Sequence, residues 1–404
     1  MRAPAGAAGH GRRFGLAWQA MNRMITPWGE HDLTRFPEDP RDPLRAWDAA
    51  DDYLLRHLAE IGDLDFSGTV VVTGDRWGAL TTALAEHHPV QISDSFLAQE
   101  ATRANLARAG SAPDAVRLLS TRDAVPERVD VLLVRVPKSL GLLEDQLQRI
   151  APSLHAGTVV VGAGMVKEIH TSTLNLFERI LGPTKTSLAE KKARLIFTTP
   201  DPKLSRPRNP WPLTYSLELG IGPASGLAVT NHAGVFCADR LDIGTRFLLQ
   251  HLPERTGPDH VVDLGCGNGI VGTAAALANP RARITFADES HPAMASAEAT
   301  FRMCAGPARE AEFRLGDGLA DFPPGTADLV LNNPPFHTHQ ATTDRTSSRM
   351  FADARTALRE GGELWVVGNR HLGYHEKLRR MFGTCELMAS DPKFVVLRAV
   401  KQAR

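Results

Sequence analysis

One order of signals occurs twice along this chain, and that repetition limits the fold more tightly than any composition does. In each half a short apolar strand runs into a glycine turn, a helix opens, and a second strand ends at an aspartate. The first copy reads Thr69-Val70-Val71-Val72, a turn from Gly74 to Gly78, a helix over 79–87, and Val90-Gln91-Ile92 leading to Asp94 with a helix after it. The second reads Val261-Val262-Asp263, a turn from Gly265 to Gly269, a helix over 270–278, and a strand over 283–287 leading to Asp288, again followed by a helix. Further strands are expected at 131–136 and 158–161 in the first copy, and at 328–331, 363–367 and 394–400 in the second, with a helix over about 350–358. Strands alternating with helices predict a parallel, doubly wound sheet. The fold class is α/β, with two such units in tandem. A helix over 44–61, carrying Leu44, Trp47, Ala50, Leu54, Leu55 and Leu58 at helical spacing, precedes the first.

The copies align by landmarks: Gly74 on Gly265, Gly78 on Gly269, Asp94 on Asp288 and Asp130 on Asp328. Their chemistry differs. Where the second copy has Asp263 and Gly267, the first has Val72 and Arg76. Where the second has Asn333-Pro334-Pro335-Phe336, the first has Arg135-Val136-Pro137-Lys138. The first copy therefore keeps the fold signal and lacks the site signal. Val72 removes a carboxylate and Arg76 fills a glycine position, so no cofactor is expected there. The basic residues at the ends of its loop, Arg135 and Lys138, suggest a phosphate contact in place of a base.

In the second copy, Asp263-Leu264-Gly265-Cys266-Gly267-Asn268-Gly269 follows a strand and opens a helix. Such a turn lets backbone approach a ligand closely and leaves amide donors at the helix start. It lacks the G-x-G-x-x-G spacing of a dinucleotide site. An acid just before the turn repels a pyrophosphate and suits an ammonium, such as that of S-adenosylmethionine. Asp288 is placed to accept from ribose hydroxyls, and Asp317, in Gly316-Asp317-Gly318, from an adenine amine. A tight turn alone leaves the three acids unexplained. Asn333-Pro334-Pro335-Phe336 ends a buried strand abruptly, because two prolines forbid helix or further strand. The Asn333 side-chain oxygen and the Pro334 carbonyl can both accept from an aromatic amine, Pro335 stiffens the loop, and Phe336 can stack on the base. Strand carboxyl ends are where ligands bind in open α/β sheets. Upstream, Phe236 is a candidate cover for cofactor or base, and Asp242 reads first as a helix cap.

Composition narrows the partners. Lys+Arg and Asp+Glu are 46 each, so overall charge advertises no nucleic acid. Residues 370–404 are locally basic, which fits phosphate contact or a solvated face equally. Four scattered cysteines without a C-x-x-C argue against a disulfide framework or zinc site and fit a reducing cytoplasm. No metal is expected: His337 and His339 lack further ligands, and His371 and His375 have no glutamate between them in the H-E-x-x-H manner. They read as surface or RNA-facing residues. No apolar run approaches the roughly 20 residues of a membrane helix. Residues 1–20 read as a disordered tail or an over-extended start, with Met21 the true one. Residues 21–198 form the degenerate domain, 199–230 a proline-rich linker and hairpin, and 231–404 the catalytic domain.

The Asp263–Gly269 turn, Asn333-Pro334-Pro335-Phe336-His337 and Gly368-Asn369-Arg370-His371-Leu372 together resemble class I S-adenosylmethionine-dependent methyltransferases that modify rRNA guanine at N2. The chain is most similar to the large-subunit (23S) guanine-N2 methyltransferase G family, with the small-subunit (16S) C family close behind. The resemblance extends from about Leu33 through Lys393-Phe394-Val395-Val396-Leu397. It implies two tandem Rossmann-like methyltransferase domains, the N-terminal one degenerate and assisting RNA binding or folding. It implies methylation of one guanine in 23S rRNA, with S-adenosylmethionine held by Asp263, Gly265, Gly267, Gly269, Asp288 and Asp317. It places guanine at Asn333, Pro334, Pro335 and Phe336. The Asn-Pro-Pro-Phe motif is shared with DNA adenine and protein glutamine enzymes, and the tandem arrangement singles out this branch. The alternatives are a 16S rRNA enzyme and a non-catalytic rRNA-binding assembly factor that retains the cofactor site. A cytoplasmic monomer is expected.

Overall fold

The computed structural model describes residues 22–39, 42–62, 64–335 and 340–403. The expected tail lies outside the described residues, and so do Phe336, His337 and His339. The chain divides into two compact units, Met1–Asn209 and Pro210–Arg404.

The first unit opens with a hairpin of β1 (Arg23–Thr26) and β2 (Gly29–Asp32). Next come α1 (Ala49–Glu60), β3 (Val70–Thr73), α2 (Ala79–Ala83), β4 (Val90–Ser93), α3 (Phe96–Arg108), β5 (Arg117–Ser120) and β6 (Val129–Arg135). The unit closes with α4 (Leu140–Ile150), β7 (Leu154–Met165), α5 (Thr171–Ile180), β8 (Thr184–Thr186) and β9 (Ala193–Thr198). Its sheet has the order β5-β4-β3-β6-β7-β9-β8, parallel except for β9, which runs against both β7 and β8. Alternation explains why both faces are covered. Val70, Val72, Val131 and Leu133 enter the core on the α1 side, while Val71, Leu132 and Val134 enter the other. A strand buried on both faces reads as an unbroken apolar run. The helix expected from residue 44 begins instead at Ala49. Asp48 caps it, accepting from Ala50 N–H at 2.8 Å, while Asp51 accepts from Asp48 N–H at 2.8 Å.

The second unit opens with a hairpin of β10 (Leu213–Ser216) and β11 (Ala228–Asn231), then α6 (Ile243–Leu249), β12 (His260–Leu264), α7 (Ile270–Ala278), β13 (Arg283–Asp288) and α8 (His291–Ala305). β14 (Glu312–Leu315), β15 (Ala327–Asn332), α9 (Gln340–Ala357), β16 (Leu358–Asn369), α10 (Tyr374–Phe382), β17 (Glu386–Ser390) and β18 (Phe394–Val400) complete it. Its sheet, β14-β13-β12-β15-β16-β18-β17, repeats the first strand for strand. The hairpin is held to α8 of its own unit, with Thr230 N–H on Thr300 Oγ1 at 3.1 Å and His232 N–H on Ser296 Oγ at 2.8 Å.

Register fixes the correspondence residue by residue. Thr73 pairs with Ile92 and Leu264 with Ala287, so with Gly74 set on Gly265, Ser93 falls on Asp288. The expected match of Asp94 to Asp288 is therefore one residue off; Asp94 corresponds to Glu289. The caps that follow agree, since Ser95 and Ser290 start α3 and α8 alike. Gly78 and Gly269 correspond down to their surroundings. Both have φ +74, and a Cβ on either would lie 2.7 Å from a Cα of the next helix, Thr102 or Ala297. Asp130 and Asp328 also match: each carboxylate accepts the backbone N–H that opens the neighbouring strand, Thr69 at 2.9 Å or His260 at 2.7 Å.

Candidate active site

The site is built at the carboxyl ends of β12, β13, β15 and β16. Gly265, Gly267 and Gly269 take φ of +70, +54 and +74 between β12 and α7. Among the described residues nothing lies within 4 Å of a Cβ built at Gly267, nor of one at Gly316 after β14, so both face open space. Asp288 at the end of β13 braces the turn: Oδ2 accepts from Gly267 N–H and Oδ1 from Ser290 N–H, both at 3.0 Å. Burial raises the Asp288 pKa and those amides oppose the rise. Asn268 ties the turn to β11 through Asn231 Oδ1 at 3.0 Å and receives Ile270 N–H at 3.3 Å.

Asp263 is 3% exposed, with Oδ2 accepting from Gly272 N–H at 2.7 Å. Burial pushes its pKa up to about 8, against that hydrogen bond. A buried carboxylate that lacks a cation is a place for one to bind. Asp317 follows β14 and forms an ion pair with Arg349 of α9, a guanidinium that the sequence reading did not pair with it. The open turn, the buried acid at its foot and the braced carboxylate at the next strand end fit S-adenosylmethionine: an ammonium at Asp263, ribose hydroxyls at Asp288.

Asn333 follows β15. Its Nδ2 donates to Thr245 Oγ1 at 2.8 Å and to Asp242 Oδ2 at 3.3 Å. Its Oδ1 is buried with no hydrogen-bond partner among the described residues. An amide whose nitrogen is held by a carboxylate and a hydroxyl has one orientation, and it leaves the oxygen as a free acceptor. Asp242 does cap α6, accepting from Thr245 N–H at 2.8 Å, so the expected cap also orients the amide. The neighbouring Asn332 donates to the Leu264 carbonyl at 2.7 Å and joins β15 to β12 below the turn. Pro334 and Pro335 carry the chain on; Phe336 lies outside the described residues. Phe236 is 53% exposed.

The first unit shows the same place filled by ion pairs. Arg135 stands where Asn333 stands, Asp48 where Asp242 does, and Asp51 where Thr245 does. Arg135 is 2% exposed, with contacts of 2.9 Å to Asp48 and 2.6 Å to Asp51 and a hydrogen bond of 2.8 Å to the Ala163 carbonyl. The expected phosphate contact at Arg135 is thus wrong, because its guanidinium is spent on two carboxylates inside the fold. Arg76 does not fill the turn either; it reaches away to Glu168 at 3.1 Å. What closes the turn is Asp75, buried and accepting from Ala79 N–H, Thr81 N–H and the Thr81 hydroxyl. The helix cap and the residue three places on, Asp48/Asp51 against Asp242/Thr245, were the sequence signal that could have exposed the orienting pair.

Three basic residues of the C-terminal stretch are committed within the fold. Arg398 is held by Glu363 at 2.7 Å and Glu386 at 2.8 Å, Lys401 by the Leu358 carbonyl at 2.5 Å, and Arg370 by the Asp391 carbonyl at 3.0 Å. Among the described residues no group of His, Cys, Asp and Glu could hold a metal, and no helix is long and apolar enough to cross a membrane.

Fold and site define a class I S-adenosylmethionine-dependent methyltransferase with a second, decayed copy of the same domain. Residues 21–202 match the family described as the RLMG N-terminal domain, and residues 226–398 the methyltransferase small domain. The Streptomyces avermitilis ribosomal RNA large subunit methyltransferase G is 71% identical over 379 residues, 94% of this chain and 99% of its own. Its Stutzerimonas stutzeri namesake is 48% identical over the same shares. This chain belongs to that methyltransferase G family. Among solved structures, the T. thermophilus 16S rRNA N2 G1207 methyltransferase (RsmC), in complex with AdoMet and guanosine, superposes with a TM-score of 0.72 at 20% identity, covering 95% of this chain and 100% of that one. That likeness supports the tandem fold.

Proposed function

We propose that this protein methylates the exocyclic N2 amine of one guanine in 23S rRNA. The observation that carries the reading is the Asn333 amide, with its nitrogen pinned by Asp242 and Thr245 and its oxygen buried and open. The guanine amine is a poor nucleophile because its lone pair is delocalised into the ring. Accepting its two N–H groups at Asn333 Oδ1 and the Pro334 carbonyl turns the lone pair out of the ring plane and aims it. When bound, S-adenosylmethionine supplies an electrophilic methyl carbon. As the N–C bond forms, the S–C pair returns to sulfur and one amine proton leaves to water. Asp263 holds the ammonium, Asp288 the ribose, and Asp317, beside Arg349, the adenine amine, while Gly265, Gly267 and Gly269 let the ligand lie against backbone. Positioning and electrostatics supply the rate without a strong base. Phe336 stacks on a base that has been splayed out of its helix. The first domain, residues 21–198, assists RNA binding or folding, and residues 199–230 link it to the catalytic domain. The protein works as a cytoplasmic monomer.

The test is label transfer from S-adenosylmethionine to protein-free 23S and 16S rRNA from cells lacking the gene. Label in N2-methylguanine of 23S rRNA is expected. Label in 16S rRNA alone would move the target to the small subunit; label in neither would end the reading.

A further inference from the structure

A second unpaired oxygen sits beside that of Asn333. Asn369 ends β16, and its Oδ1 is buried without a hydrogen-bond partner among the described residues. β16 is the parallel neighbour of β15, with Asn332 opposite Val366. Side chains alternate along each strand. Leu329 and Leu331 share one core with Trp365 and Val367, while Val330 shares the other with Leu364 and Val366. Carried on by two, the first set reaches Asn333 on β15 and Asn369 on β16, so both amides project on the face covered by α6. From strand spacing and rise their Cα atoms are about 8 Å apart, a span that two amide side chains can close around one base. The decayed copy lacks both: Arg135 replaces Asn333, and by the same register, with Leu133 opposite Val161, Met165 replaces Asn369. A buried acceptor with no partner costs roughly 1–3 kcal/mol, and the copy without a substrate loop does not carry it.

The edge of guanine that bears the N2 amine also bears N1–H, beside it and pointing the same way. We propose that Asn369 Oδ1 accepts from N1–H while Asn333 Oδ1 accepts from N2–H, so that Asn369 reads guanine. This rests on the guanine-N2 reading above. Adenine offers a bare N1 and no C2 amine. The telling analogue is 2-aminopurine, which keeps the C2 amine and replaces N1–H by a lone pair. A site built to accept that N–H rejects a base that lacks it, because two acceptors then face each other and stay unpaired.

The experiment compares a short RNA spanning the mapped target, synthesised with guanine or 2-aminopurine at that position, in full-length wild type, Asn369→Ala and Asn369→Met. Met is the residue the decayed copy tolerates there. Wild type should prefer guanine over 2-aminopurine by about 100-fold or more in kcat/KM. Both variants should lose about 10- to 100-fold on guanine and little on 2-aminopurine, which collapses the preference to a few-fold. Asn369→Asp keeps an acceptor and should restore part of the preference. An Asn369 that only supported the fold would lower both substrates together; an unchanged preference in both variants overturns the assignment and leaves the N2 reading standing. Failure of wild type to methylate the C2 amine of either RNA would overturn both.

Discussion

Exchanging Asn333 and Asp242 tests the orienting contact directly. Asn333→Asp is isosteric and keeps an oxygen toward the substrate, but it turns the Nδ2 donor into a carboxylate oxygen about where Nδ2 now lies, 3.3 Å from Asp242 Oδ2. Two charges at that distance repel by roughly 4–5 kcal/mol at an effective dielectric constant near 20. Asp242 is only half-buried, so screening reduces this to about 2 kcal/mol, or roughly 1.5 pKa units. The pair should then hold a proton, with one carboxyl titrating near pH 5–6. The sign follows from linkage: a carboxyl whose folded pKa is raised gives a protein most stable below its unfolded pKa, about 4, and progressively less stable as pH rises through the folded value. Thermal unfolding of Asn333→Asp should match wild type near pH 3, fall about 1 kcal/mol below it at pH 4.5 and about 2 kcal/mol below it at pH 7.5. Adding Asp242→Asn removes one of the two charges; the Asp242 oxygen nearest Asn333 is the one that accepts from Thr245 N–H, so the new amide keeps its oxygen there and relieves the repulsion. It keeps a good helix cap, since Asn caps as well as Asp, and should recover stability at pH 7.5 together with part of the methyl transfer. Equal stability of Asn333→Asp and wild type at every pH, or no recovery in the double variant, would refute the contact.

Other outcomes follow from the same geometry. Asp263 has a folded pKa raised from 3.8 to about 8, so this group lowers the stability of the cofactor-free protein as pH rises from about 4 to about 8. An ammonium bound there reverses the shift. Calorimetry at pH 7 in buffers of different ionisation heat should then show a proton released on S-adenosylmethionine binding, and none in Asp263→Asn. Arg135→Met leaves Asp48 and Asp51 without their cation and should cost about 3–5 kcal/mol in chemical denaturation, whereas a matched Arg135→Met/Asp51→Leu pair should recover most of it. Because Asp75 closes the first unit's turn and Arg135 fills the place that Asn333 holds in the second, titration of the whole chain should give one S-adenosylmethionine per molecule; two would contradict that account.

The local sequence settled whatever depends on short-range sterics and periodicity. Val70 to Val72, Val131 to Val134, and Val261, Val262 and Leu264 are apolar because they are covered on both faces, so their runs read as central strands. Gly78 and Gly269 are legible because no side chain fits against Thr102 or Ala297. The two prolines after Asn333 end β15 from their own ring geometry. Edges were harder. β5, β8 and β17 have almost no buried positions, and only pairing to a neighbour makes them strands. α9 starts ten residues earlier than expected, since Gln340–Ala357 carries many polar residues and few helix-spaced apolar ones. The sequence determined that one copy keeps its turn and its Asn-Pro-Pro loop while the other does not. Only the tertiary structure decided what those residues touch. Asn333 meets Asp242 and Thr245 across about 90 residues of chain, and Arg135 meets Asp48 across 87. Such contacts arise from strand register and helix packing, which no local pattern encodes, and they decide whether the same position offers a free oxygen to a base or closes over a salt bridge.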